Sequence, residues 1–394
     1  MAYDPTVICG TARTPMGGFQ GALSSLSGTK LGAAAVKGAV ARAGVSPGRI
    51  ERIYMGCVLA AGLGQAPARQ AALGAGLPRS VEATTVNKMC GSGMQAVIMG
   101  DEAIRAGAVG TVLAGGMESM SNAPFLLPKH RAGARIGHDR VVDSMMMDGL
   151  EDAYQPGKAM GAFAEDSARS YGLTRAAQDA FAIESLARVT HAVENGAFAD
   201  EIVPVTVRTR GGDVAVDTDE QPGKARPDRI ATLKPAFATD GTITAANASS
   251  ISDGAAALLL ARESLARDQR WPIEARIVAT AAHAQDPAQF TTAPVPAIAK
   301  VLEKAGWTVA NVDLFEINEA FACVTMIAMQ ELELPHDRVN VHGGATALGH
   351  PIGASGARII VTLLAALKAR GLKRGVAALC IGGGEATAIA VERP

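Results

Sequence analysis

Two cysteines and a histidine stand where the chain could expose them to a substrate. Cys90 follows the apolar run Val81–Val86, in the string Asn87-Lys88-Met89-Cys90-Gly91-Ser92-Gly93. A thiol at a strand-to-helix turn lies near the positive end of the helix, which favours thiolate and makes a nucleophile. His350 sits between Gly349 and Pro351, in a glycine-rich loop ahead of a helical segment and off any helical face. There it is placed to serve a nearby thiol as base. Cys380 ends the run Val376–Ile381, before Gly382-Gly383-Gly384. Successive backbone N–H groups in such a turn can hold an oxyanion. Asn318 opens Asn318-Glu319-Ala320-Phe321-Ala322. It either caps a helix, worth about 1 kcal/mol, or orients a water or His350.

Each of these residues has a plainer reading. An isolated cysteine is usually a small buried hydrophobe, and a histidine is commonly a satisfied core residue. Gly91, Gly93 and Ala96 also fit Gly-x-Gly-x-x-Ala, a weak dinucleotide pattern, but the one acidic candidate, Glu118, follows a Gly-Gly turn and is not at a strand end.

The elements that must position these residues alternate between strand and helix. Strands are predicted at Thr6–Cys9, Ile50–Tyr54, Val81–Val86, Thr111–Ala114, Val312–Ile317, Arg338–Val341 and Val376–Ile381. Helices are predicted at Gly28–Ala43 (closed by Gly44), Met94–Arg105, Ala293–Ala305, Ala320–Leu332 and Gly356–Ala369. Such alternation predicts an α/β fold with mixed or parallel sheets. The two ends resemble each other. Ala43-Gly44 before Ile50–Ile53 repeats as Ala305-Gly306 before Val312–Phe315, at an offset of 262. Leu113-Ala114-Gly115-Gly116 then Glu118 repeats as Cys380-Ile381-Gly382-Gly383 then Glu385, so one α/β unit is duplicated. Between the repeats, from about 121 to 247, charges, prolines and the run Met145-Met146-Met147 replace the pattern, with one amphipathic helix near Arg175–Asn195. Long insertions of this kind are usually lids or binding loops.

Composition narrows the class. The 394 residues are 48% hydrophobic and 19% charged, enough for large cores over two or three units. A net charge of −1 and 4% aromatics give no footprint for nucleic acid. The longest nearly unbroken apolar run, Ala320–Met329, is short of the ~18 residues a membrane span needs. The N-terminus carries no basic region followed by an apolar stretch, and five scattered cysteines form no CxxC pair. A soluble cytoplasmic protein without a disulfide framework or metal site is expected.

Taken together, Asn87–Met94, Asn318–Ala322, Gly343–Gly356 with Gly349-His350-Pro351, and Cys380–Gly384, in that order, resemble the thiolases. Within the family the likeness is to bacterial acetyl-CoA acetyltransferases, the acetoacetyl-CoA thiolases. The resemblance implies an α/β/α/β/α layered fold of two duplicated halves. These would be residues 1–120 plus about 248–270, and 271–394, with a coenzyme A-binding loop domain at 121–247. It implies an acyltransferase that condenses two acetyl-CoA to acetoacetyl-CoA and CoA through an acetyl-Cys90 intermediate. His350 would be the activating base and Cys380 the second acid/base. His350 with an Asn318-held water, and the N–H groups of Cys90 and Gly382, would form two oxyanion sites. Leu150, Met160, Phe237, Ala245 and Ser249 would contact pantetheine or acyl group, and Phe321 would line the pocket. No cofactor beyond the coenzyme A thioesters and no metal is implied, and the assembly would be a homotetramer. A degradative 3-ketoacyl-CoA thiolase is the alternative; a ketoacyl synthase and a non-catalytic CoA-binding module are more distant ones. His342 and Ala159 depart from common family residues (Asn and His), and Lys224, Arg226 and Arg229 are either phosphate contacts or a solvated loop.

Overall fold

The computed structural model describes residues 4–394. In the first part of the chain, strand β1 (Thr6–Arg13) leads to helix α1 (Gly28–Ala43), whose chain reversal uses Gly44 at φ 62°. Next come β2 (Arg52–Gly56), β3 (Glu82–Val86), α2 (Ser92–Arg105) and β4 (Thr111–Ser119). The insertion carries α3 (Met160–Ser170) and α4 (Arg175–Glu194). The chain then gives β5 (Ser252–Arg262), β6 (Ala275–Ala284), α5 (Pro294–Ala305), β7 (Leu314–Ile317), α6 (Ala322–Glu331), α7 (Ile352–Ala369), β8 (Arg374–Ile381) and β9 (Glu385–Glu392).

The duplication is visible in the topology. In the first half β2 runs parallel to both β3 and β4, β4 is antiparallel to β5, and β5 to β1. In the second half β7 runs parallel to β8 and meets Val339 in a parallel bridge, while β8, β9 and β6 pair antiparallel in turn. The half-sheets join where Val7 and Ile8 of β1 pair with Arg276 and Ala275 of β6. The expected strand at Arg338–Val341 is reduced to that single bridge. Asn340 turns to φ 48°, and its carboxamide accepts from Ile317 N at 2.8 Å and donates to Ile317 O at 2.8 Å. A side chain thus replaces the next ladder pair.

Helices fill three layers around the two half-sheets. α1 packs outside the first half and α5 outside the second. α2 and α7 lie together between them, in a core that also takes Leu258, Leu260, Leu379 and Ile389 from both halves. The two helices touch through glycine: a Cβ on Gly356 would lie 2.5 Å from Met94 N, and one on Gly93 2.8 Å from Ala357 N. α7 also corrects the membrane arithmetic. Its 18 residues are long and apolar enough to cross a bilayer by composition, which the interruptions by glycine, Ser355 and Arg358 conceal in a search for unbroken runs. It is 83% buried inside the protein.

The insertion is tied to the first half by a buried cation. Arg13, fully buried, donates to Asp219 at 2.7 and 2.8 Å and to Glu201 at 2.5 Å. Because α7 packs on both half-sheets, the halves share one core. Leu367→Ala should therefore lower stability by about 2–5 kcal/mol and leave a single cooperative urea transition. Two separated transitions by fluorescence and circular dichroism would show independent halves.

Candidate active site

Cys90 sits on a tight turn at the head of α2. Met89 takes a positive φ of 45°, uncommon for a residue with a side chain. The turn is held by Lys88 N donating to Ser92 Oγ at 2.8 Å and by Ser92 Oγ donating to Met89 O at 2.6 Å. Gly91 follows because a Cβ there would lie 2.3 Å from Ile381 Cδ1. Its lack of a side chain lets the end of β8 close onto the turn, where the Gly382 amide favours the Cys90 thiolate.

His350 is oriented from its own loop. Its backbone N–H donates to Ser250 O at 3.1 Å. Ser355 Oγ lies 2.6 Å from Nδ1 and donates to Pro351 O at 3.0 Å. With the one hydroxyl proton used on Pro351, the proton between ring and Ser355 belongs to Nδ1. Nε2 then presents its lone pair, buried and with no partner among the described residues. Asn318 Nδ2 stands 3.5 Å from Nδ1. Asn318 is not a helix cap, since Phe321 occupies that position of α6.

Burial governs the charges. It pushes the Cys90 thiol up to about 11, against the lowering effect of the Gly382 and Cys90 amides and with a further rise from Glu118. It pulls His350 down to about 3, helped by the Arg358 charge, and raises Cys380 well above an ordinary thiol. The expected resting thiolate is thus corrected. One helix end is worth up to about 2 kcal/mol, less than desolvation of a sulfur anion here, and the resting pair is neutral thiol and neutral imidazole.

These groups border one cavity of ≈420 Å³, with Cys90, His350, Cys380 and Gly382 in its wall. Leu150, Met160, Phe237, Ala245, Ser249 and Phe321 line it too, whereas Asn318 lies one layer behind His350. Phe321 meets Phe237 and Phe290 edge to face, with centroids 6.0 and 6.4 Å apart. Ser249 N and Oγ both donate to Ala320 O, at 3.0 and 2.9 Å, which brings the end of the insertion against the second half. Met120, Met146, Phe290 and Ile352 extend the apolar lining. Sequence reasoning missed these four, although the methionine run was a signal for Met146. It missed Ser355 as well, whose place one turn after Pro351 was the available signal.

Glu118 has no nucleotide role. Fully buried, it accepts from Val58 N at 3.0 Å, Leu59 N at 3.1 Å and Gly353 N at 2.8 Å, and burial raises it to about 7. It ties the loop after β2 to the head of α7. Ala159 lines the cavity; His342 does not, and packs edge-on to Phe198 at 5.9 Å. A second cavity of ≈370 Å³ shares Ala245 and Ser250 with the first and has Lys224, Arg226 and Arg229 in its wall.

A half-buried thiol at the head of one helix, an imidazole in the wall of the same cavity, a second thiol before a glycine turn, and duplicated half-sheets define an acyl-transfer fold and site. The chain matches the thiolase N-terminal domain over residues 6–264 and the thiolase C-terminal domain over 271–393, and it belongs to the thiolase family. It is 48% identical to the acetyl-CoA acetyltransferase of Pseudomonas aeruginosa, over 98% of this chain and 99% of that one. It is 50% identical to acetyl-CoA acetyltransferase 1 of Arabidopsis thaliana, over 99% and 95%. Among solved structures, the Acat5 thiolase from Ascaris suum in complex with coenzyme A superposes with TM-score 0.94 at 43% identity, covering 99% of this chain and 100% of that one.

A neutral resting pair has a pH signature. With the Cys90 thiol at about 11, thiolate rises as pH rises, so iodoacetamide alkylation of Cys90 in the free protein should accelerate about tenfold per pH unit from roughly pH 7 to 9. A flat rate across that window would mean a preformed thiolate–imidazolium pair.

Proposed function

We propose that the chain is an acetyl-CoA C-acetyltransferase, which joins two acetyl-CoA into acetoacetyl-CoA and CoA and runs the reverse thiolysis. The observation that carries this reading is the convergence of Cys90, Cys380 and His350, with its unpartnered Nε2, on one cavity. The relatives reported above bear the same activity in their names, which favours it over a longer-chain degradative thiolase.

In the first half-reaction His350 Nε2 takes the Cys90 proton as the sulfur attacks the thioester carbonyl. The oxyanion is held by the N–H groups of Cys90 and Gly382, each worth about 3 kcal/mol. The bond to the CoA sulfur breaks, and Cys380 gives its proton to the departing sulfur. This leaves acetyl-Cys90, imidazolium and a Cys380 thiolate. A second acetyl-CoA then loses an α-proton to Cys380, while its enolate oxygen accepts from His350 and a water oriented by Asn318. The enolate carbon attacks acetyl-Cys90, the Cys90 sulfur leaves and recovers its proton from His350, and the protons balance. High resting values for both thiols suit this cycle, because neither anion exists until a substrate partner is in place. Side chains, backbone amides and the Asn318-held water supply every step of this scheme, and it draws on no cofactor beyond the substrates.

The pantetheine arm is assigned to the cavity wall of Met160, Phe237, Ala245 and Ser249, and the reacting acyl end to the neighbourhood of Leu150 and Phe321. We assign the nucleotide end of CoA to the second cavity, which has Lys224, Arg226 and Arg229 in its wall and shares Ala245 and Ser250 with the cavity of the reacting groups. On this reading residues 121–247 act as the CoA-binding domain between the two halves. A homotetramer is in keeping with three large apolar side chains, Phe125, Ile136 and Val141, exposed on the otherwise charged hairpin that joins Phe125–Leu126 to Val142–Asp143. Five free cysteines suit a reducing, cytoplasmic setting.

Mixing the protein with acetyl-CoA should add about 42 Da, one acetyl group replacing a proton on sulfur. The adduct should be lost in Cys90→Ser and kept in Cys380→Ala, while condensation by Cys380→Ala falls at least about 1000-fold. Equal loss of both half-reactions in Cys380→Ala would remove its role as second base. Faster thiolysis of 3-ketooctanoyl-CoA than of acetoacetyl-CoA would instead favour the longer-chain alternative. Replacing Lys224 and Arg229 together by Ala should raise KM for CoA roughly tenfold or more, with kcat within about twofold; an unchanged KM would return these cations to a solvated loop.

A further inference from the structure

Behind the imidazole lies a buried ion pair that the reaction scheme does not use. Arg358, on α7 and 1% exposed, places Nη2 3.5 Å from Asn318 Oδ1 and Nη1 3.6 Å from Glu316 Oε2. Glu316 and Asn318 are two apart along β7 and its exit, so their side chains fall on one face. The guanidinium covers that face. Among the described residues neither Glu316 oxygen nor Arg358 Nη1 has a hydrogen-bond partner, so Asn318 is the group the guanidinium reaches most closely. Glu201, Arg13 and Glu319 are the remaining charges that bear on Arg358.

A carboxamide has two ends that differ only in which atom is the donor. A guanidinium has donors alone, so it requires the Asn318 oxygen on its side. The NH₂ end must then face His350; because Nδ1 already carries a proton, the Asn318 N–H groups do not bond the ring and are available to a water or a developing oxyanion. Reversed, the carboxamide would present a carbonyl oxygen to the enolate and repel it.

We propose that Arg358 is a positioning residue for the condensation step: held between Glu316 and Asn318, it fixes the Asn318 carboxamide with Nδ2 toward His350. The proposal rests on the reading that His350 and Asn318 bind the enolate oxygen. The same cation also disfavours imidazolium at rest, in line with the low His350 value. It therefore acts on both members of that site from behind.

The test is a double-mutant cycle in an E316Q background, which avoids stranding a buried carboxylate when the cation goes. Against E316Q, the variants are R358M, N318A and both together, assayed for condensation, for acetyl-Cys90 formation by mass spectrometry and for the pH dependence of Cys90 alkylation. R358M should reduce condensation about 100-fold with acetyl-Cys90 still formed, and should add no more than about threefold to the loss already caused by N318A. Removing the cation makes imidazolium easier to form, so alkylation should move to lower pH even as condensation falls. A purely structural role predicts multiplicative losses and slower alkylation together, and that result overturns the proposal. Full condensation in R358M with N318A impaired also overturns it, while leaving the enolate site intact. Full condensation in N318A removes the enolate-site reading and the proposal with it. Should R358M fail to fold, R358K supplies the same comparison, with an expected loss of about tenfold, since one ammonium cannot serve both Glu316 and Asn318.

Discussion

The contact on which the site depends is the glycine-to-backbone crossing of α2 and α7. Gly93 and Gly356 let two helices from opposite halves approach closer than any side chain would allow, near their N-terminal ends. Cys90 precedes one of those ends and His350 the other, so this contact brings nucleophile and base to one place. It also makes the halves a single cooperative unit, since the layer between the half-sheets belongs to both.

Around that crossing the protein builds an apolar chamber and not a polar one. Burial makes both thiols weak acids and His350 a weak base, so the resting site is uncharged. Charge enters only with substrate, and the groups prepared for it are backbone amides at Cys90 and Gly382 and the imidazole with Asn318 behind it. This division explains why the ionisable side chains stand back from the cavity. Arg358, Glu316, Glu118 and the Arg13 network act on loops and on the orientation of neutral groups, where a hydrogen-bonding or charged group can position without poisoning an apolar wall.

Much of the fold was legible in the sequence. The helix Gly28–Ala43 with its glycine stop carried a local signature strong enough to fix both ends, and the paired motifs of the two halves became the same strand order twice. The strand expected at Arg338–Val341 was not realised, because the Asn340 side chain answers Ile317 and no local propensity encodes that choice. Ala275–Ala284 and Glu385–Glu392 escaped notice because alanine-rich strands carry a weak periodic signal and gain their pairing only from neighbours far along the chain.

For the site, the chain by itself settled which residues could react. A thiol before a helix, an imidazole pinned between glycine and proline, and a thiol before three glycines are local facts of residue type and spacing. Tertiary structure decided what state they occupy and who assists them. The neutral resting pair, the hidden position of Asn318 and the role of Glu118 as an anchor arise from desolvation and from partners dozens to hundreds of residues away, whereas the tautomer set by Ser355 is a contact within one turn. Such long-range terms leave no mark on a spacing pattern, because they depend on which surfaces are excluded from water together once the two halves have closed on each other.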